Sequence, residues 1–178
     1  MAESAPPEGA EIRDLQVRNN PNDIFISFLL DGAFTDEIRE QIDSGLPVTF
    51  RHYVEIIQKR TAWFDRTLVR KVISSTVAYD TLTRQYRLTR SVDGEVMDTS
   101  VTERREEMER FMAGVERQRL CDPEVLPGDT HLSLRVKSRM RRRFVLFFLP
   151  WNFETSWARI GLTLPARHRA PDAAPIPQ

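Results

Sequence analysis

The sequence predicts a mainly β, α+β protein: an antiparallel sheet or sandwich with two short-to-medium helices, at about 35–44 and 101–118. Three observations carry this prediction. Runs of alternating apolar residues recur along the chain, the signature of strands with one buried face. Turn-forming stretches, among them Asn19-Asn20-Pro21-Asn22-Asp23 and Asp93-Gly94, separate those runs. Only two stretches, 35–44 and 101–118, place apolar residues at helical spacing behind a capping signal.

The elements follow in order. Ile12, Leu15 and Val17 alternate in part and predict a first strand. After the Asn-rich turn, residues 24–30 put Ile24, Ile26, Phe28 and Leu30 on one face, and Phe25 and Leu29 on the other suggest cover on both sides. Thr35 is placed to cap a helix whose first turn holds Asp36 and Glu37 and whose Ile38 and Ile42 share a face. Gly45 and Pro47 end it. Residues 48–57 resume the β pattern with Val48, Phe50, His52, Val54 and Ile56 on one face. Residues 69–79 predict a long strand, 85–90 its returning partner, and Asp93-Gly94 a hairpin turn into 96–101. Ser100 and Glu103 read as a capping box, followed by Met108, Phe111, Met112 and Val115 at helical spacing. Pro123, Pro127 and Gly128 mark 120–129 as loop. Leu132, Leu134 and Val136 alternate with Ser133, Arg135 and Lys137, so 131–140 is a strand with one face toward solvent. A last strand is expected at 157–164.

The 178 residues suit one domain, spanning 11–164. Residues 1–10 and the Pro/Ala-rich tail 165–178 are expected to be disordered. The chain is 40% hydrophobic and 29% charged, with 26 basic and 26 acidic residues. This balance argues against nucleic acid as a partner. Cys121 is the single cysteine, so no intrachain disulfide forms, and no neighbour in sequence activates it as a nucleophile. His52, His131 and His168 lie far apart, and no metal-ligand spacing, phosphate loop or nucleophile elbow occurs. The sequence therefore predicts a non-catalytic protein with no metal and no cofactor.

The most informative segment is 139–157. Arg139, Arg141, Arg142 and Arg143 run into the apolar stretch 144–149, which Pro150 ends before Trp151, Phe153 and Trp157. The apolar stretch is far shorter than the ~20 residues of a spanning helix. Arg139, Arg141, Arg142, Arg143, Phe147, Trp151 and Phe153 are the candidate interaction surface, suited to an anionic and apolar partner. If buried, the same segment is a core hairpin with a basic flank. The stretch 60–66 also mixes aromatic and charged residues, and the plainer reading packs Trp63 inward and pairs Asp65 with an arginine.

Gly45-Leu46-Pro47-Val48-Thr49-Phe50, Tyr53-Val54-Glu55-Ile56, Arg60 with Trp63 and Asp65, and Tyr79-Asp80-x-Leu82-Thr83-x-Gln85-Tyr86 together resemble a bacterial family, domain of unknown function 4390. The resemblance spans about 11–164. It implies an exported or envelope-facing protein whose gene lies near a two-component sensor kinase, and it transfers no catalytic residue. Residues 2–9 read like the start of a mature exported protein, so a periplasmic or envelope setting is expected, with the cytoplasm as the alternative. The expected function is an envelope interaction module docking on a membrane surface or a membrane-protein partner. Two alternatives stand beside it. One is a carrier of a hydrophobic ligand, held near Met108 and Met112. The other is nucleic-acid binding through 139–143, with Phe144 and Trp151 as stacking groups.

Overall fold

The computed structural model describes residues 9–59, 64–128, 131–141 and 152–164. Strands β1 (Glu11–Asn19) and β2 (Ile24–Asp31) lead to helix α1 (Asp36–Asp43). A meander of β3 (Val48–Gln58), β4 (Arg66–Asp80), β5 (Gln85–Val92) and β6 (Glu95–Thr102) follows. Then come helix α2 (Arg105–Ala113), β7 (Gly114–Cys121), a 3-10 turn at Pro123–Val125, β8 (Leu132–Arg141), β9 (Asn152–Glu154) and β10 (Ala158–Leu162). The protein is mainly β with two helices, as its sequence predicts.

The strands make two antiparallel sheets. The smaller runs β1-β2-β7, and the larger runs β10-β8-β3-β4-β5-β6, with β9 paired to β8. The inner face of the larger sheet is covered in two halves. Over one half the small sheet sets Ile24, Ile26, Phe28, Val115 and Leu120 against Val54, Ile56, Ile73, Leu134 and Val136. Over the other half α1 and α2 set Ile38, Ile42, Met108 and Met112 against Val48, Phe50, Val77 and Leu88. Each of these side chains is buried, and burying one large apolar side chain contributes roughly 1.5–3 kcal/mol. This is the sandwich implied by the alternation in 48–57, where all five predicted inward residues are buried.

Asn20 closes the β1–β2 turn, its side chain accepting from the amides of Asn22 and Asp23 at 2.9 and 2.7 Å. Asp93 and Gly94 both have positive φ, 51° and 92°, as the two-residue hairpin turn requires. Thr35 holds the N-cap position of α1 with extended backbone.

Several expectations need correcting. Helix α2 covers Arg105–Ala113, shorter at both ends than 101–118. Ser100 and Glu103 form no capping box, because β6 continues to Thr102 and the N-cap is Arg104. Thr102 instead ties the entry to α2, its hydroxyl accepting from the Arg104 amide at 3.1 Å and donating to the Glu107 carboxylate at 2.5 Å. Gly114 turns the chain extended, and residues 114–121 pair with β2 as a strand. Glu116, Arg117, Gln118 and Arg119 favour helix locally, and the open edge of β2 overrides them. Leu120 and Cys121 accordingly belong to β7 and not to a loop. The outer side of β2 is not covered, since Leu29 is exposed and Phe25 only half-buried. The last strand is Ala158–Leu162, shorter than expected. Ala10 is buried in the core beside Leu30 and Ala33, although it belongs to the segment expected to be disordered. The remaining terminal expectations, and those on 60–63 and 142–151, lie outside the described residues.

Gly32, just past β2, has φ +68°, and the Gly9 carbonyl occupies the space a Cβ would fill. Both the backbone and the contact therefore exclude a side chain. Gly32→Ala is expected to lower stability by about 1–2 kcal/mol, read from the urea midpoint. An unchanged midpoint would show that residues 9 and 10 move aside freely.

Candidate functional site

The outer face of the larger sheet carries a row of charged and aromatic side chains. Period-2 alternation puts Arg135, Lys137 and Arg139 of β8 on this face. The register aligns them with β3: Arg135 is opposite Glu55, Lys137 opposite Tyr53, and Arg139 opposite Arg51. Arg70 of β4 is opposite Glu55 from the other side, Arg159 of β10 opposite Arg135, and Glu154 of β9 opposite Arg139. Trp157 stands just ahead of β10.

Two carboxylates organise this face. Glu55 accepts from Arg135 at 2.6 and 2.9 Å through Oε2 and from Arg70 at 2.8 Å through Oε1. Its side chain is only 6% exposed. Burial alone would raise the Glu55 pKa, but the hydrogen bonds from Arg135 and Arg70 outweigh it and hold the pKa below the ordinary value. Glu154 accepts from Lys137 at 2.7 Å and also pairs with Arg139. The Lys137 hydrogen bond lowers the Glu154 pKa against burial, and Arg139 lowers it further. The cations also stack on rings: Arg135 lies 4.4 Å from the Trp157 ring centre, Lys137 5.2 Å from Trp157, and Arg139 5.6 Å from Tyr53. Six cations, Arg51, Arg70, Arg135, Lys137, Arg139 and Arg159, thus share this region with two acids, Glu55 and Glu154. The neutral chain hides a local surplus of positive charge.

Arg139 is the predicted site residue whose side chain this arrangement uses. Arg141 pairs with Asn152 and Phe153 with Met140, so residues 139–141 and 152–154 of the segment pair as β8 and β9. Arg142, Arg143, Phe147 and Trp151 lie outside the described residues. Sequence reading missed Tyr53, Glu55, Arg70 and Glu154 as members of one site. The alternation of Arg135, Lys137 and Arg139 was a visible signal, but the carboxylates reach them only through the register.

A second constellation is buried in the seam between the two halves of the core. His52 is fully buried, and its Nδ1 is 2.6 Å from the Ser138 hydroxyl. Thr155 brackets Ser138, its hydroxyl accepting from the Ser138 amide at 3.0 Å and its amide donating to the Ser138 carbonyl at 2.9 Å. The Phe28 ring meets His52 edge-on at 5.1 Å. Burial pushes the His52 pKa down to about 3, Arg90 adds to this, and the Met112 backbone opposes it. His52 is therefore a neutral core residue at pH 7. The arrangement joins a serine to a histidine, but both are sealed from solvent, so it serves packing.

Burial also pushes the thiol of half-buried Cys121 up, which disfavours the reactive thiolate. Among the described residues no group of three or more His, Cys, Asp or Glu assembles to hold a metal ion. Among them, too, no helix is long and apolar enough to cross a membrane.

Fold and surface together define a two-layered, antiparallel β protein whose larger sheet carries cations and aromatic rings on its outer face. Residues 7–160 match the family described as Domain of unknown function (DUF4390). The match covers most of the chain, which therefore belongs to that family. Comparison with curated proteins and with solved structures gives no significant match.

Proposed function

We propose that this protein is a non-catalytic interaction module of the bacterial cell envelope that docks on an anionic membrane surface. The docking face is the outer side of the larger sheet, to which Arg139 belongs. One observation supports this reading above the rest: six cations interleaved with Tyr53 and Trp157 against two carboxylates, on one sheet face. Cations near an anionic leaflet contribute about 1 kcal/mol each, and amphipathic rings favour the headgroup layer. The carrier reading is less favoured, because Met108 and Met112 are fully buried against packed neighbours in the core.

Co-sedimentation with phosphatidylglycerol vesicles tests the proposal. The protein is expected to bind at low salt and to be released as the Debye length shrinks below about 10 Å. Arg51 and Arg159 are exposed, so Arg51→Glu with Arg159→Glu should leave the fold intact and weaken binding at least about tenfold. Failure of the wild-type protein to bind at low salt would reject the membrane reading, as would equal binding by the double variant.

A further inference from the structure

We propose that β6 is a homodimerisation edge, along which two copies of this chain pair antiparallel about Ser100. β6 ends the larger sheet, with β5 on one side and no strand on the other among the described residues. All of its residues from Glu95 to Val101 are exposed. Val96, Met97 and Val101 expose 65%, 59% and 55% of their surface, an apolar content solvent does not favour. An open edge of this kind presents unpaired backbone donors and acceptors to another strand.

Protection against such pairing is confined to the first half of β6. The β5–β6 register shifts between Arg90 and Ser91, so Met97 sits at a bulge, and Glu95 and Asp98 add charge. Residues 99–102 are Thr, Ser, Val and Thr, with no charge, proline or irregularity and with high strand preference.

The regular stretch also chooses its occupant. In a two-fold antiparallel pair one residue faces its own copy. Pairing about Asp98 would set two carboxylates against each other. Pairing about Ser100, the midpoint of the regular stretch 98–102, sets Thr99 opposite Val101 and Asp98 opposite Thr102. Asp98 then faces an uncharged residue, Thr99 and Val101 of the two copies form a four-residue patch across the axis, and no like charges face one another in the stretch. The same strand is thus complementary to itself, and the two large sheets join into one.

Sedimentation equilibrium over a range of concentrations is expected to show a reversible monomer–dimer equilibrium. Ser100→Lys sets two lysines face to face and should weaken dimerisation at least tenfold, whereas Val125→Lys, at an exposed apolar residue elsewhere, should not. An equimolar mixture of Ser100→Lys and Ser100→Glu should restore pairing as a heterodimer, a rescue that a misfolded variant could not give. In a Cys121→Ser background, Ser100→Cys should form a disulfide dimer under mild oxidant faster than Asp98→Cys. A monomer at every concentration would overturn the proposal. Ser100→Lys dimerising as strongly as wild type would overturn it as well.

Discussion

Acidification from pH 6.5 toward 4.5 will cost this protein about 1.4 kcal/mol of stability per pH unit through one residue, His52. The folded-state pKa of His52 is pushed down to about 3 from an ordinary 6.5. The unfolded chain therefore binds a proton that the folded chain refuses, and protonation favours unfolding. The contribution is fully present above the unfolded pKa and is lost as pH falls between the two values. The upper part of that window is diagnostic, because their cationic partners hold the Glu55 and Glu154 carboxyls below the ordinary 4.5. His52→Leu removes the titrating group, so its stability should be nearly flat from pH 6.5 to 4.5 while the wild type falls. The variant also loses the hydrogen bond to Ser138, which leaves a buried hydroxyl and costs about 1–3 kcal/mol at pH 7. Urea unfolding at several pH values checks both statements. Parallel wild-type and variant curves would show that His52 takes up its proton in the folded state.

Replacing Glu55 with Gln will destabilise the protein by about 2–4 kcal/mol at neutral pH. Arg135 is the reason: its side chain is only 21% exposed, and without the carboxylate its charge stays partly desolvated on the Trp157 ring. Arg70 adds little, since its side chain is 66% exposed and water replaces the lost partner. The sign with pH is the ordinary carboxylate one. Because the folded pKa lies below 4.5, the stabilisation is present above that value and is lost as pH falls through the folded pKa. The urea midpoint of Glu55→Gln, measured with that of Arg135→Leu and the double variant, isolates the pair. A coupling near zero would mean that solvent already screens it.

Much of this architecture was legible in the sequence, for identifiable reasons. Val48, Phe50, His52, Val54 and Ile56 alternate without interruption, so β3 and its buried face could be read directly. Asp93-Gly94 fixed a hairpin by itself, because few residue pairs accept positive φ twice. Strand β7 was illegible for the opposite reason. Its Glu, Arg and Gln residues favour helix, and the partner that overrides them, β2, lies about ninety residues away in contacts such as Arg117 to Ser27. The candidate site was half legible. The basic row on β8 shows in the sequence, but Glu55 joins it across 80 residues and only through the sheet register. His52 looked like an ordinary strand residue, and nothing nearby announced that Ser138 would meet it from 86 residues away.

The order of strands also sets a timetable. Strands β3, β4, β5 and β6 are joined by short connections and pair with their neighbours in sequence, so the meander is complete once residue 102 is available. The other flank of β3 belongs to β8, which arrives some thirty residues later. During synthesis from the N-terminus, that flank is an unsatisfied template with Glu55 waiting for Arg135. Late closure of this kind is expected to delay β8 docking until after the meander has formed, and to leave the flank of β3 as the edge a nascent chain presents to other strands.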